Sequence, residues 1–210
     1  MGNRLSKIYT RTGDDGSTGM ADGSRLSKAD SLFSVMGDVD ELNSHIGLVR
    51  AYLAPLTAES NALPERLVQH SEVNFSQALI IIQHLLFNIG GELAMPEYAG
   101  ITASHVDWLE QQIDAMNSTL DPLKDFILPT GSIVVSQLHV ARTVCRRAER
   151  QAVLLRQERP TAIRSDAVRL INRLSDWLFV AARFCTNPNQ VSEVLWDSQV
   201  LQNIDTHAHK

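Results

Sequence analysis

Residues 75–94 read FSQALIIIQHLLFNIGGELA, and one spacing organises them. Phe75, Leu79, Ile82, Leu86, Ile89 and Leu93 recur every three or four positions, a heptad-like seam for a partner helix. Pro64 is a good first-turn residue, so a helix is expected to start near it and run through the seam. The same period returns four times. Val35, Val39, Leu42, Ile46, Val49 and Leu53 mark a helix capped by Asp30 or Ser31. Val106, Leu109, Ile113 and Met116 mark one that begins at Thr102 or Ser104, with Ser104 and Asp107 resembling a capping box. A fourth runs from about Ser132 to Gln157 and is ended by Pro160. The fifth spans roughly Thr161 to Cys185 and stops at the breaker Thr186-Asn187-Pro188-Asn189. It carries two apolar stripes, Leu170/Leu174/Trp177/Ala181/Phe184 and Val168/Ile171/Ser175/Leu178/Ala182, which suit a helix interior to a bundle or at a subunit contact.

The expected fold is therefore all-α: a single domain over 1–210, with a five-helix bundle over 30–185. A glycine-rich, mostly irregular segment over 1–29 precedes it, and a flexible tail over 197–210 follows. Lys7-Ile8-Tyr9-Thr10 reads as one short strand. A chain of 210 residues with 44% hydrophobic and 20% charged residues has globular composition, which excludes disordered and collagen-like classes. No uninterrupted apolar run approaches the roughly 20 residues of a membrane span, and the first residues, MGNRLSKIYTRTG, lack an apolar signal core. Two cysteines, Cys145 and Cys185, exclude a disulfide framework and fit a reducing, cytoplasmic compartment. A net charge of −5 gives no global field for nucleic acid, so an anionic ligand needs a local cluster of cations.

Two clusters qualify. Residues 11–25, RTGDDGSTGMADGSR, have no apolar period. Their glycines let backbone N–H groups approach a polyphosphate, and Thr10, Thr12, Ser17, Thr18, Arg11, Arg25 and Lys28 add hydroxyls and charge. The spacing matches neither a Walker A loop nor a dinucleotide fingerprint, and a flexible N-terminal tail is the competing reading. On the fourth helix, LHVARTVCRRAER places Arg142, Arg146 and Glu149 on one face beside the stripe Leu138/Ala141/Cys145/Ala152, with Arg147 and Arg150 pointing further toward solvent. Arginines at the edge of a packed face need a carboxylate or a ligand phosphate; the alternative is an ion-pair lattice of Arg142 and Arg146 with Glu149. Asp40, Glu41 and Asn43 on the first helix, with Asn172, Arg173 and Asp176 on the fifth, supply polar groups for a cleft between helices or for a structural network. None of the seven histidines follows a Glu by three residues, as a ferritin-like di-metal bundle requires.

Read together, six ordered blocks resemble the ATP:cob(I)alamin (corrinoid) adenosyltransferases of the propanediol-utilisation type. They are KIYTRTGDDGSTG from residue 7, GDVDELNSHIGL at 37–48, FNIGGELA at 87–94, FILPTGS at 126–132, HVARTVCRRAER at 139–150 and INRLSDWLFVAAR at 171–183. The resemblance implies a homotrimer of five-helix bundles with active sites between subunits. It implies transfer of the 5′-deoxyadenosyl group of ATP to cob(I)alamin cobalt, with release of triphosphate and use of Mg²⁺ held mainly through the ATP phosphates. It also implies an ATP site formed by Thr10, Arg11, Thr12, Gly13, Thr18, Gly19, Lys28, Arg146, Glu149, Arg150 and Asn172. Asp40 and Arg142 would be an interacting pair on the corrinoid side, and Phe126 would lie under the corrin ring and displace its lower ligand. A reductase of flavin type is the implied partner; nucleic acid and membrane are not. The chain departs from the pattern at Ser17, at Met20-Ala21-Asp22 and at Thr130, which bears on loop conformation.

Overall fold

The computed structural model describes residues 8–58, 65–70, 73–95, 97–186 and 193–201. The chain is mostly helical. A hairpin of β1 (Ser17–Gly19) and β2 (Arg25–Ser27) precedes α1 (Ser31–Ala58), α2 (Glu65–Gln69), α3 (Phe75–Ala94), α4 (Ala103–Asn117), α5 (Ile133–Glu158) and α6 (Ser165–Phe184). α1 packs between α3 and α5, and α6 packs between α5 and α4.

Both predicted stripes of α6 are buried apart from Val168, which is partly covered, because the helix has neighbours on two sides. Trp177 is fully buried and stacks on Phe75 with ring centroids 5.4 Å apart, tying the start of α3 to the middle of α6. Such a ring pair contributes about 1 kcal/mol beyond the area it buries. The α3 seam from Phe75 to Leu93 is buried along its length. By length and composition α3 is apolar enough to cross a membrane, but this buried seam makes it a core helix.

Three local expectations are corrected. The helix expected from Pro64, itself outside the described residues, is two helices: α2 ends at Gln69 and α3 starts at Phe75. Asn74 makes the break by adopting φ 44°, a left-handed conformation that Asn tolerates better than most residues. Among the described residues six helices therefore stand where five were expected, the extra one being the five-residue α2. Of the two expected caps of α1 it is Asp30 that serves, its Oδ1 accepting from the Leu32 N–H at 2.9 Å. On α4 the box pairs Thr102 with His105 rather than Ser104 with Asp107: the Thr102 N–H donates to His105 Nδ1 at 3.2 Å. Residues 8–10 form no strand. The strands fall inside the glycine-rich segment instead, with Ser17 opposite Ser27 and Gly19 opposite Arg25. Their turn runs through Gly23 at φ 84°, a conformation glycine adopts without penalty, and Asp22 Oδ1 accepts from the Ser24 N–H and hydroxyl at 2.9 and 2.6 Å.

Candidate active site

The N-terminal loop is organised by two cations. Lys28 Nζ donates to the Gly13 carbonyl at 2.8 Å, and Arg25 donates to the Thr12 carbonyl and to Ser17 Oγ. With their carbonyls held in this way, Thr12 and Gly13 sit in a tight turn backed by Gly16, whose N–H reaches Gly13 O at 3.2 Å. Thr10 and Thr12 hydroxyls lie 2.8 Å apart on the exposed side. Arg11 occupies φ 61°, strain of about 1–2 kcal/mol for a non-glycine residue, with its guanidinium 5.6 Å from the Tyr9 ring. Thr18 and Gly19 belong to β1, and Met20 and Leu26 pin the hairpin onto the core. Lys28 thus holds the loop in addition to carrying charge. Arg25 has an organising role that its position alone did not reveal.

On α5 the expected face divides. Glu149 does not pair with Arg142 or Arg146; its Oε1 accepts from Asn172 Nδ2 at 2.6 Å, joining α5 to α6. Arg146 is exposed and has no side-chain ion pair among the described residues; its carbonyl accepts from the exposed Arg150 at 3.0 Å. Arg147, expected toward solvent, is instead half-buried against α1, with Nε 3.0 Å from Asp38 Oδ1 and a terminal nitrogen on Glu41. The structural alternative therefore holds for Arg147 and Glu41, for Asn43, which donates to Gln83 O at 3.3 Å, and for Arg173, held by Glu110 at 2.9 Å and Asp176 at 3.1 Å. It does not hold for Arg146.

Arg142 lies lower on α5 with its Nε buried and without a hydrogen-bond partner. Burial first, and then the nearby Arg146, lower its affinity for its proton. A guanidinium stays charged in a protein, so the strain expresses itself as demand for an anion or acceptor. It lines a cleft of about 550 Å³ together with Phe126, Lys124, His139 and Phe179. Phe126 projects there with 80% of its surface exposed, a large apolar ring that no neighbour covers. Buried His139 meets Phe179 edge-on at 6.5 Å, and its basicity is lowered mainly by burial and then by Arg142, while Glu193 opposes.

The backbone beneath Phe126 pairs with the chain's far end. Trp196 N–H donates to Phe126 O at 2.7 Å, Leu128 N–H to Val194 O at 2.8 Å, and Ile127 bridges Leu195 antiparallel. Trp196, half-exposed, shares a second small cavity with Phe126. Nothing in the local sequence signalled this pairing, and residues 197–201, expected to begin a flexible tail, continue from it; 202–210 lie outside the described residues. Asp40 is elsewhere. It is exposed on α1 and lines a separate, apolar cavity of about 470 Å³ between α1 and α3, with Phe87 and Gly91. Among the described residues no ion pair joins Asp40 to Arg142, and the two line different cavities. Nor does any hydrogen bond or ion pair among the described residues join the N-terminal loop to Arg146, Glu149 or Asn172.

Comparison with known proteins gives the family. A cobalamin adenosyltransferase from Cupriavidus metallidurans is 46% identical over 95% of this chain and 98% of its own. A corrinoid adenosyltransferase from Bacillus subtilis is 38% identical over 93% of this chain and 94% of its own. Among solved structures, a variant of the PduO-type ATP:corrinoid adenosyltransferase from Lactobacillus reuteri, complexed with cobalamin and ATP, superposes with a TM-score of 0.77. Its identity is 35%, covering 91% of this chain and 100% of that one. Residues 8–185 match the cobalamin adenosyltransferase family, and the chain belongs to it.

Proposed function

We infer that the family's reaction, ATP-dependent adenosyl transfer to the cobalt of a corrinoid, is carried out here by the N-terminal loop, the Arg146 face and the Phe126 cleft acting together. The observation that carries this reading is Phe126: an aromatic ring 80% exposed, beside a half-buried arginine that lacks a partner at Nε. An isolated folded chain gains nothing from either feature; a flat apolar ligand with polar side arms uses both.

The chemistry asks for a very strong nucleophile at the ribose 5′ carbon. Co(I) qualifies, but Co(II) is hard to reduce while a lower axial ligand donates into it. Phe126 would supply an apolar floor that replaces that ligand, and an external reductant, a reductase of flavin type, would supply the electron. Cobalt then attacks the 5′ carbon, the carbon–oxygen bond breaks, and the electron pair leaves with triphosphate. Charge builds on that leaving group. Arg146 and Arg150, exposed on α5, and Lys28, released from Gly13, would meet it together with loop N–H groups at Thr10, Arg11, Thr12, Gly13 and Gly19 and the Thr18 hydroxyl. Glu149 and Asn172, already bonded to each other, would hold the nucleoside. No group of three or more His, Cys, Asp or Glu among the described residues could cage a metal ion. The donor set thus fits Mg²⁺ carried by the phosphates, where it neutralises charge.

Two observations support the homotrimer with sites between subunits: Asp40 and Arg142 line different cavities, and among the described residues the loop makes no bond to Arg146. A symmetric assembly that sets the α1–α3 face of one subunit against the Phe126 cleft of the next would unite Asp40 with Arg142. Buried, unpaired Cys145 and Cys185 suit the cytoplasm. Anaerobic incubation with chemically reduced cobalamin and ATP tests the reaction: adenosylcobalamin and intact triphosphate are expected. ADP and phosphate would indicate a phosphotransferase instead, and corrinoid binding without a cobalt–carbon bond would indicate a carrier.

A further inference from the structure

Arg183, near the end of α6, is a cation only 6% exposed, and helix packing alone gives no reason for its charge. Its Nε donates to Glu193 Oε1 at 2.7 Å, and Nη2 donates to the Asp121 carbonyl at 2.8 Å and toward Glu193 Oε2 at 3.4 Å. The two acceptor residues belong to different segments. Asp121 opens the stretch that leads to Phe126; Glu193 opens the stretch that carries Val194, Leu195 and Trp196.

Those two stretches hold each other weakly. Two backbone hydrogen bonds, which together make a single antiparallel bridge, join them, and Val194, Leu195 and Trp196 are each close to half exposed. A two-stranded pairing of that size, without an apolar face buried under it, is marginal in water. A guanidinium fork reaching both stretches from the rigid end of α6 supplies what the pairing lacks, because its planar donors serve a carboxylate and a carbonyl at once. A buried, unpaired charge would be strongly unfavourable, so Arg183 holds its partners in place.

We propose that Arg183 is a positioning residue for adenosyl transfer: by clamping Asp121 and Glu193 it holds in one register the Phe126 stretch that lines the corrinoid-facing cleft and the Trp196 stretch that pairs with it. The proposal rests on the reading of Phe126 as that cleft's floor. Arg183 touches neither substrate, and its influence passes through backbone placement.

The test uses full-length Glu193→Gln and Arg183→Lys proteins. Glu193→Gln alters a half-buried side chain outside the helices, so it keeps the proposal testable should Arg183→Lys fail to fold. Amide hydrogen exchange at Leu128 and Trp196 reads the clamp directly, and steady-state kinetics read its consequence. In Glu193→Gln, exchange at both amides and KM for cobalamin should each rise about tenfold, the size of one charge-assisted hydrogen bond, with KM for ATP unchanged. Arg183→Lys keeps the charge but not the fork and should fall between wild type and Glu193→Gln. Unchanged exchange in Glu193→Gln overturns the clamp. Faster exchange with unchanged KM for cobalamin overturns the positioning role. A Phe126→Ala control separates the two ideas: if it leaves corrinoid kinetics intact, the floor reading fails, whereas the exchange data still judge the clamp.

Discussion

Lys28 Nζ and the Gly13 carbonyl oxygen lie 2.8 Å apart, so the lysine expected at the nucleotide phosphates is also the latch of the loop. The Ser17 carbonyl, rather than the lysine, explains why residue 13 is glycine. A Cβ there would come 2.9 Å from the Ser17 carbonyl oxygen and 3.1 Å from Lys28 Nζ.

Gly13→Ala should therefore push the turn apart and misplace its N–H groups. A roughly tenfold or greater rise in KM for ATP is expected, the scale of losing one or two charge-assisted contacts. The thermal midpoint should barely move, because the loop is exposed. Isothermal titration with ATP checks the first claim and calorimetric melting the second. An unaltered ATP affinity would remove the loop from the site.

Arg146→Ala should lower kcat/KM by about 3 kcal/mol, roughly a hundredfold, the scale of removing one donor from a developing anion. Stability should stay within about 0.5 kcal/mol, since the side chain is exposed and has no ion pair among the described residues. Arg147→Ala is the contrast. It breaks the contacts to Asp38 and Glu41 between α1 and α5, so its effect should fall on stability first. Equal kinetic damage in the two variants would contradict the division of the α5 face.

Asp40→Ala and Arg142→Ala should each be nearly inactive alone and should complement each other when co-expressed. If the two residues meet across a subunit boundary, random assortment of equal amounts restores about a quarter of the sites. Activity of the purified mixed oligomer is the readout. No recovery in mixed oligomers would place both residues in one subunit's site, and a monomeric mass on gel filtration would dispose of the shared site altogether.

The helices were legible in the sequence because their signal is local: each stripe predicted for α1, α3 and α6 repeats within a few residues and is buried almost as read. The site was legible only in pieces. Arg146 and Arg147 are neighbours in sequence with the same chemistry, and only packing against Asp38 and Glu41 tells them apart. The Phe126–Trp196 pairing joins segments remote in sequence that have no periodic pattern. Asn74, which separates α2 from α3, is a mild breaker that a 3.6-residue period passes over. The β1–β2 hairpin has strands of three residues each, too short for an alternation signal.

His139 gives the fold a pH dependence whose direction is fixed. Burial, and then Arg142, depress its folded-state affinity below the ordinary value of 6.5, with Glu193 opposing. Protonation therefore favours the unfolded chain. Its contribution to stability is fully present above about pH 6.5 and is lost as pH falls toward the depressed folded value. His139→Gln should flatten the fall in melting temperature between about pH 6.5 and 5 relative to wild type. A slope unchanged by the substitution would assign that dependence to other groups.

Whether Phe126 removes the cobalt's lower ligand is read from the spectrum of cob(II)alamin bound with ATP under anaerobic conditions. Wild-type protein should show the four-coordinate Co(II) signature, and Phe126→Ala should lose it while ATP affinity is retained. A four-coordinate signal of equal strength in Phe126→Ala would contradict the account.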